Sequence, residues 1–269
     1  MKNPTELLNY DMGPRVKAFS TTRKGGYSQG SYGEFNINRY CGDDASAIQK
    51  NREALCRLLG VEEHRLVMPH QTHQTHIAVV DEWLLGQSDC ERQKVLEGID
   101  ALMTNTIGAC IGVSTADCIP VLIYDERQHA ACAVHAGWRG TVARIVEKAV
   151  AAMQRQYGSR PEELRAQIGP GISLDSFEVG QEVYDAFLAA DFDMQKISRR
   201  YPAMRDSGAE KWHIDLPACN HLQLLQAGLT AERIADCGVC TYRQHERFFS
   251  ARRLGVQSGR IFTGILLTE

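Results

Sequence analysis

The sequence has no long hydrophobic run, no large excess of charge and no low-complexity tract. No apolar segment approaches the ~20 residues that would span a bilayer, and the first residues, "MKNPTELLNYDMG", lack the apolar centre of a secretory signal. The formal net charge of -3 argues against bulk electrostatic binding to nucleic acid or to an anionic membrane, although local arginines could still bind small anions. We therefore expect a cytoplasmic protein with neither nucleic acid nor membrane as partner.

The sequence also lacks an internal repeat and a Pro/Gly/Ser-rich linker, so we predict one domain over residues 1–269. The 269 residues are 43% hydrophobic, which is enough for a substantial core. The nine cysteines are an odd number in a chain that is not small. In a reducing compartment we expect them to be mostly buried thiols, with one or two chemically active.

Hydrophobic periodicity predicts both helices and strands. Residues 43–60 form a helix with Asp44 or Ser46 as its cap and Gly60 as its stop, and "TVARIVEKAVAAMQRQYG" forms one helix closed by Gly158. Further helices are predicted at Gln181–Ala190 and Leu216–Ala227, and a last strand at Ile261–Leu267. Four short apolar segments are predicted to form buried strands: "DALMT", "ACIGVS", "IPVLIYD" and "AACAVH". The fold class is therefore α/β or α+β with a mixed sheet.

A thiol and an imidazole stand at the ends of two of these strands. Cys118 follows Asp117 at the start of "IPVLIYD", and His135 ends "AACAVH". If the two strands are neighbours, the two side chains meet, which supports either of two chemistries. A histidine can activate a cysteine nucleophile, or a thiolate and two imidazoles can bind zinc with the fourth position open. The spacing does not choose between them.

A histidine-rich connection precedes these strands. "PHQTHQTH" contains His70, His73 and His76, and residues three apart on a strand point to opposite faces. Taken alone, this stretch favours a hydrogen-bonded loop over a site that uses all three imidazoles.

Glycine-rich turns offer weaker signals. "GWRGTVAR" places Arg139 at the start of a helix, where it could clamp a phosphate. "CGVC", with Cys237 and Cys240, is a single pair without a second pair or histidines at zinc-binding spacing, so we expect two thiols without a catalytic role.

Together these motifs resemble the laccase-domain family. The stretches that carry the resemblance run in family order over nearly the whole chain: "STTRKGGYSQGSYGEFNI", "HQTH", "GIDALMT", "STADCIPVLIYD", "AVHAGWRGT", "IGPGI", "FEVG" and "CTYRQHERFFSARR". The resemblance implies a single α/β domain whose mixed sheet folds into a sandwich flanked by helices, distantly like the cytotoxic necrotising factor deamidases. The segment "EWLLGQSDCERQKVLEG" makes the spacing between His73 and Cys118 longer than the family pattern implies.

The resemblance also implies a function. Members of the family were called multicopper polyphenol oxidases and are now regarded as purine nucleoside phosphorylases with adenosine deaminase activity. Their metal ligands correspond to His73, Cys118 and His135, which implies Zn²⁺, with copper as the other possible metal. The implied substrates are purine nucleosides and phosphate, with Arg139 and Arg52 as candidate phosphate contacts. Asp117 would orient a ligand or move a proton.

Three other functions stay open. A metal-free Cys–His hydrolase or deamidase would use Cys118 as nucleophile and His135 as base, without needing His73. A copper-dependent polyphenol oxidase is the function that the older family name suggests. A binding module with a structural zinc would not need an open ligand position.

Overall fold

Two mixed sheets pack face to face to form the body of the protein. In the computed structural model, which describes residues 5–203 and 208–269, the strands form a six-stranded, a five-stranded and a three-stranded sheet. The strands are β1 (Leu7–Tyr10), β2 (Val16–Thr21), β3 (Leu66–Val67), β4 (Ile77–Val79), β5 (Ala101–Thr104), β6 (Cys110–Thr115), β7 (Ile119–Asp125), β8 (Ala130–Ala136), β9 (Arg165–Ile168), β10 (Glu178–Val179), β11 (Ser198–Pro202), β12 (Glu210–Ile214), β13 (Ile234–Asp236) and β14 (Ile261–Leu267). The helices are α1 (Ala45–Leu59), α2 (Glu82–Leu85), α3 (Asp89–Val95), α4 (Trp138–Val142), α5 (Ile145–Tyr157), α6 (Gln181–Ala189), α7 (Met194–Ile197), α8 (Leu216–Gln226) and α9 (Ala251–Leu254).

The six-stranded sheet runs β13-β9-β7-β8-β5-β4, and the five-stranded sheet runs β1-β2-β14-β6-β3. Alternate residues of β7 face opposite layers, as a strand requires. Leu122 and Tyr124 pack between the sheets with Val113 and Ile265 of the other sheet. Residues on the opposite face of β7 and β8 pack against α5 and α8. Helix α1 covers the outer face of the five-stranded sheet. The predicted sandwich of mixed sheets flanked by helices is confirmed.

The first predicted helix has the ends that its caps indicate. The Asp44 carboxylate, not the Ser46 hydroxyl, accepts a hydrogen bond from the Ala47 N–H at 2.8 Å. Gly60 ends the helix with a φ of 74°, in the left-handed region that glycine adopts without strain.

The prediction of one helix from Thr141 to Gly158 is wrong at its start, because the structure has two helices there, α4 and α5. Arg144 separates them with a φ of 60°. Its guanidinium lies 3.9 Å from the centre of the Phe192 ring and donates to the Ala190 carbonyl at 2.7 Å. The apolar stripe conceals this break because Val142 and Ile145 fit one continuous helix as well as two. The stop at Gly158 is confirmed.

The inserted segment between His73 and Cys118 contains α2 and α3. Helix α3 begins with a capping box in which Ser88 and Glu91 each bond the other's backbone N–H. No helix in the described residues is long and apolar enough to cross a membrane.

Candidate metal centre

The strands that carry Cys118 and His135 are direct neighbours. β7 and β8 pair antiparallel over seven residue pairs, with Ile119 opposite Ala136 and Pro120 opposite His135. Cys118 stands immediately before β7, after a turn in which Asp117 has a φ of 88°. The condition that the sequence left open is therefore met, and the thiol and the imidazole share one end of the sheet.

His73 completes the group from the loop between β3 and β4. Its Nε2 lies 3.8 Å from the Cys118 Sγ, and its ring centre lies 4.8 Å from that of His135 at 74°. One ligand atom from each of the three residues lies within 4.8 Å of the others. His73 is exposed, Cys118 is half-buried and His135 is buried, so the group is accessible from one side.

These side chains fit a metal ion. Tetrahedral zinc bonded to sulfur and nitrogen needs ligand atoms about 3.3–3.6 Å apart, close to the separation of the His73 Nε2 and the Cys118 Sγ. Gly137 lines the group without filling it: a Cβ there would lie 2.9 Å from the His73 Cδ2, 3.1 Å from the Cys118 Sγ and 3.7 Å from the His135 Nε2. The space beside the three ligand atoms exists because residue 137 has no side chain.

Asp100, immediately before β5, bonds both of the segments that carry the histidines. Its Oδ1 accepts from the His135 Nδ1 at 2.7 Å, which leaves Nε2 as the nitrogen that faces the group. The same carboxylate accepts from the backbone N–H groups of Thr72, His73 and Gln74. Asp100 is fully buried, so all of its acceptor capacity serves the protein. Sequence reasoning missed this residue, although it stands in the quoted motif "GIDALMT".

The metal-free group holds a thiolate beside a protonated imidazole. Burial alone would raise the pKa of the Cys118 thiol, but the charge of His135 and hydrogen bonds from His135 and His73 lower that pKa to about 6. Burial alone would lower the pKa of His135, but the Cys118 thiolate and the Asp100 carboxylate raise it to about 9. At neutral pH Cys118 is thus ready to act as a ligand or as a nucleophile.

Alkylation of the metal-free protein should follow this pKa. The thiolate is the reactive form, so labelling of Cys118 by iodoacetamide should rise with pH through a midpoint near 6 and level off above it. Peptide mass spectrometry of a Cys90→Ser background, which removes an exposed thiol, measures the label on Cys118. Zinc should protect Cys118, and a midpoint near 9 would contradict the thiolate–imidazolium pair.

Comparison with known proteins identifies the family. A family model described as multi-copper polyphenol oxidoreductase laccase matches residues 17–268. The chain belongs to this family.

Relatives within the laccase family carry two kinds of name. A "Purine nucleoside phosphorylase" of Bacteroides thetaiotaomicron is 44% identical over 252 residues, which cover 94% of this chain and 92% of the relative. "Adenosine deaminase RL5", from an unknown prokaryotic organism, is 44% identical over 250 residues, covering 93% of each chain. The crystal structure of the Bacillus licheniformis hypothetical protein YfiH superposes with a TM-score of 0.88 at 26% identity, covering 98% of this chain and 97% of that one.

In this laccase-family chain, the two histidines that neighbour His73 in the sequence contact other partners. The His70 Nδ1 bonds Glu97 at 2.8 Å and its ring stacks on Tyr40 with centres 4.2 Å apart. The His76 Nδ1 lies 3.2 Å from the Gly98 carbonyl. His73 is therefore the member of the trio that meets Cys118 and His135.

Asp117 holds a turn. Its Oδ1 accepts from the Thr241 hydroxyl at 2.7 Å, and its Oδ2 accepts from the Arg252 backbone N–H at 2.7 Å. Both oxygens thus tie the turn before Cys118 to the C-terminal part of the chain. Asp100, rather than Asp117, is the carboxylate that bonds the His135 imidazole and the backbone of the loop that carries His73.

The two predicted phosphate contacts lie in different surroundings. Arg139 is exposed on α4, and its guanidinium lies 4.3 Å from the centre of the Trp138 ring. Arg52 is buried on α1, where it bonds Glu63 at 3.1 Å and the Leu66 carbonyl at 3.1 Å. Arg52 borders a cavity of ≈ 370 Å³ that is not lined by His73, Cys118 or His135.

All nine cysteines are free thiols, and five of them are buried. Cys240 is buried, and its sulfur lies 2.9 Å from the Ser173 hydroxyl. Cys237 is half-buried.

Proposed function

We propose that the protein is a zinc-dependent purine nucleoside phosphorylase that also deaminates adenosine. The observation that carries the proposal is the group formed by His73, Cys118 and His135, three metal-binding side chains with one accessible side. The names of the two relatives that are 44% identical support purine nucleosides as the substrate class. Adenosine, inosine, guanosine and methylthioadenosine, each with phosphate, would yield the free base and the ribose 1-phosphate.

The three ligands suit zinc, because one thiolate and two imidazoles make an open site of the catalytic kind. When bound there, zinc would supply a Lewis acid, and it would lower the pKa of a coordinated water, which deamination can use as its nucleophile. In the described residues this is the only group of three or more metal-binding side chains that lie close enough to share an ion. One such group suits a mononuclear enzyme, whereas a multicopper oxidase needs several copper ions.

The protein's own residues would bind and orient the substrates. We place the phosphate at Arg139 first, because its exposed guanidinium follows Gly137, the residue that lines the ligand group. Arg52 comes second, because its charge is already paired with Glu63. We expect the Cys118 thiolate and the accessible edge of His73 to define the face on which the nucleoside reacts.

The test is turnover of inosine by zinc-loaded protein with and without phosphate. We expect hypoxanthine and ribose 1-phosphate only when phosphate is present, and inosine as a further product when adenosine is supplied. Arg139→Ala should raise the KM for phosphate by about tenfold or more, because a charge-assisted bond contributes about 1.5–3 kcal/mol. Release of base without phosphate would show a hydrolase, and no turnover of any purine nucleoside would contradict the proposal.

A second candidate, a metal-free Cys–His hydrolase, is favoured by one observation. The pKa of Cys118 is lowered to about 6 by the neighbouring His135, as in enzymes that use a cysteine nucleophile. His73 distinguishes the two functions, because the hydrolase does not need a third ligand.

A further inference from the structure

We infer that Asp100 is the positioning residue of the centre, and that one buried carboxylate orients two of the three ligands. It acts on His135 through the imidazole and on His73 through the backbone of the loop. This inference rests on the metal site of the proposed function. It assigns Asp100 one of the two roles that the sequence analysis offered for Asp117.

Four donors converge on the two oxygens of Asp100. Oδ1 lies 2.7 Å from the His135 Nδ1 and 3.0 Å from the His73 backbone N. Oδ2 lies 2.7 Å from the Gln74 backbone N and 3.3 Å from that of Thr72. The backbone of Asp100 adds two more bonds, because its N–H donates to the His76 carbonyl and its carbonyl accepts from the His135 N–H. Asp100 therefore connects the loop that carries His73 to the strand that carries His135.

A carboxylate in this place has two effects on the ligands. It holds the proton of His135 on Nδ1 and so leaves the Nε2 lone pair for a metal, as a hydrogen-bonded carboxylate does for many ligating histidines. It also holds three successive N–H groups around His73, whose φ of 62° is uncommon for a residue with a side chain. A buried carboxylate without hydrogen-bond donors is costly. Any conformation of the loop that takes these N–H groups away from Asp100 is therefore strongly disfavoured.

Asp100→Asn is the sharpest test, because it keeps the shape and exchanges one acceptor for a donor. Whichever way the amide turns, its NH₂ group faces either the His135 and His73 donors or the Gln74 and Thr72 donors. We expect zinc to bind about 10–100-fold more weakly, the range seen when the partner of a ligating histidine is lost. By linkage, zinc at a fixed excess should then add about 1.4–2.7 kcal/mol less to the unfolding free energy.

Asp125→Asn is the matched control. Asp125 is also buried, and its Oδ1 accepts from the backbone N–H groups of Arg127 and Gln128 at the far end of β7 from Cys118. We expect this variant to lose stability equally with and without zinc and to keep the parent's zinc affinity. A merely structural role for Asp100 would give the same result in Asp100→Asn.

Metal competition titration and chemical unfolding of the zinc-free and zinc-loaded proteins supply both readouts. If Asp100→Asn does not fold, Asp100→Ser leaves room for a water that can accept part of the bonds. In the unaltered zinc-loaded protein, nitrogen-edited NMR should show a slowly exchanging proton on the His135 Nδ1.

The outcomes separate this inference from the proposed function. A zinc affinity in Asp100→Asn or Asp100→Ser within about twofold of the parent, or an unprotonated His135 Nδ1, would overturn the role of Asp100. Normal zinc binding by the parent without turnover of any nucleoside would overturn the proposed function and leave the role of Asp100 intact. A parent protein that binds no zinc would overturn both.

Discussion

Replacing Cys118 with serine is expected to remove zinc and phosphorolysis together. A serine hydroxyl is a poor zinc ligand at neutral pH, and the two imidazoles alone would hold the ion weakly. Since loss of a residue that only orients a ligand costs about 10–100-fold in metal affinity, loss of the ligand itself should cost more than about 100-fold. Zinc content after dialysis, zinc affinity by competition and release of hypoxanthine from inosine measure the effect.

The same variant separates the two leading functions. If Cys118 is a nucleophile, Cys118→Ser should be inactive while any bound metal stays in place. If Cys118 is a ligand, excess zinc should restore a little binding and activity. Cys90→Ser is the control, because Cys90 is an exposed thiol on α3, and it should match the parent in both assays. Inactive Cys118→Ser with full zinc occupancy would refute the zinc mechanism.

Replacing His73 with alanine should have a comparably large effect on metal binding, with little cost to the fold. His73 is exposed on a loop, and the loop is held by its backbone bonds to Asp100, which alanine keeps. We expect zinc affinity to fall by more than about 100-fold, because losing a ligand should cost more than the about 10–100-fold that follows loss of a ligand's hydrogen-bond partner. Zinc-dependent turnover should fall with it. Zinc titration and thermal unfolding of the metal-free protein measure the two effects.

The neighbouring histidines provide controls in the same loop. His70→Ala removes an imidazole paired with Glu97, and His76→Ala removes one beside the Gly98 carbonyl. Both variants should keep zinc and activity. Unchanged metal content in His73→Ala would instead place the Cys–His hydrolase first, because that enzyme has no use for a third ligand.

The sequence predicted much of the fold, because many helices and strands have a clear apolar periodicity and recognisable end residues. Leu216–Gln226 and Ile261–Leu267 follow from apolar periodicity and from the residues that bound them. The three-stranded sheet of β10, β12 and β11 was not predicted, because its short strands, such as "SRRYP", are rich in exposed polar residues. The break at Arg144 depends on contacts with Phe192 and Ala190, some 46 or more residues further along the chain.

The residues of the candidate site were likewise only partly predictable from the sequence. Cys118 and His135 stood out at the ends of adjacent apolar segments, and the family resemblance pointed to His73. Asp100 did not stand out, because a single carboxylate before "ALMT" matches no metal-binding or catalytic spacing in the sequence. Only the pairing of β5 with β8 brings its side chain to His135, and no spacing in the chain encodes that meeting. The sequence therefore indicated the three proposed ligands better than it indicated Asp100, whose carboxylate bonds the segments that carry two of them.

The hydrogen bonds of Asp117 limit whether the site could be transferred to another protein scaffold. The three proposed ligands and Asp100 lie between residues 73 and 135, so a fragment of that length would contain every side chain that we propose to bind or position zinc. The carboxylate of Asp117, however, accepts its two bonds from Thr241 and from the Arg252 backbone, more than a hundred residues away. A graft of the central segment onto another scaffold would leave that buried carboxylate without its donors and the cysteine turn without its anchor. Transplanting the centre thus calls for the donors at Thr241 and Arg252, or for replacements of them, because the three proposed ligands alone do not fix the turn before Cys118.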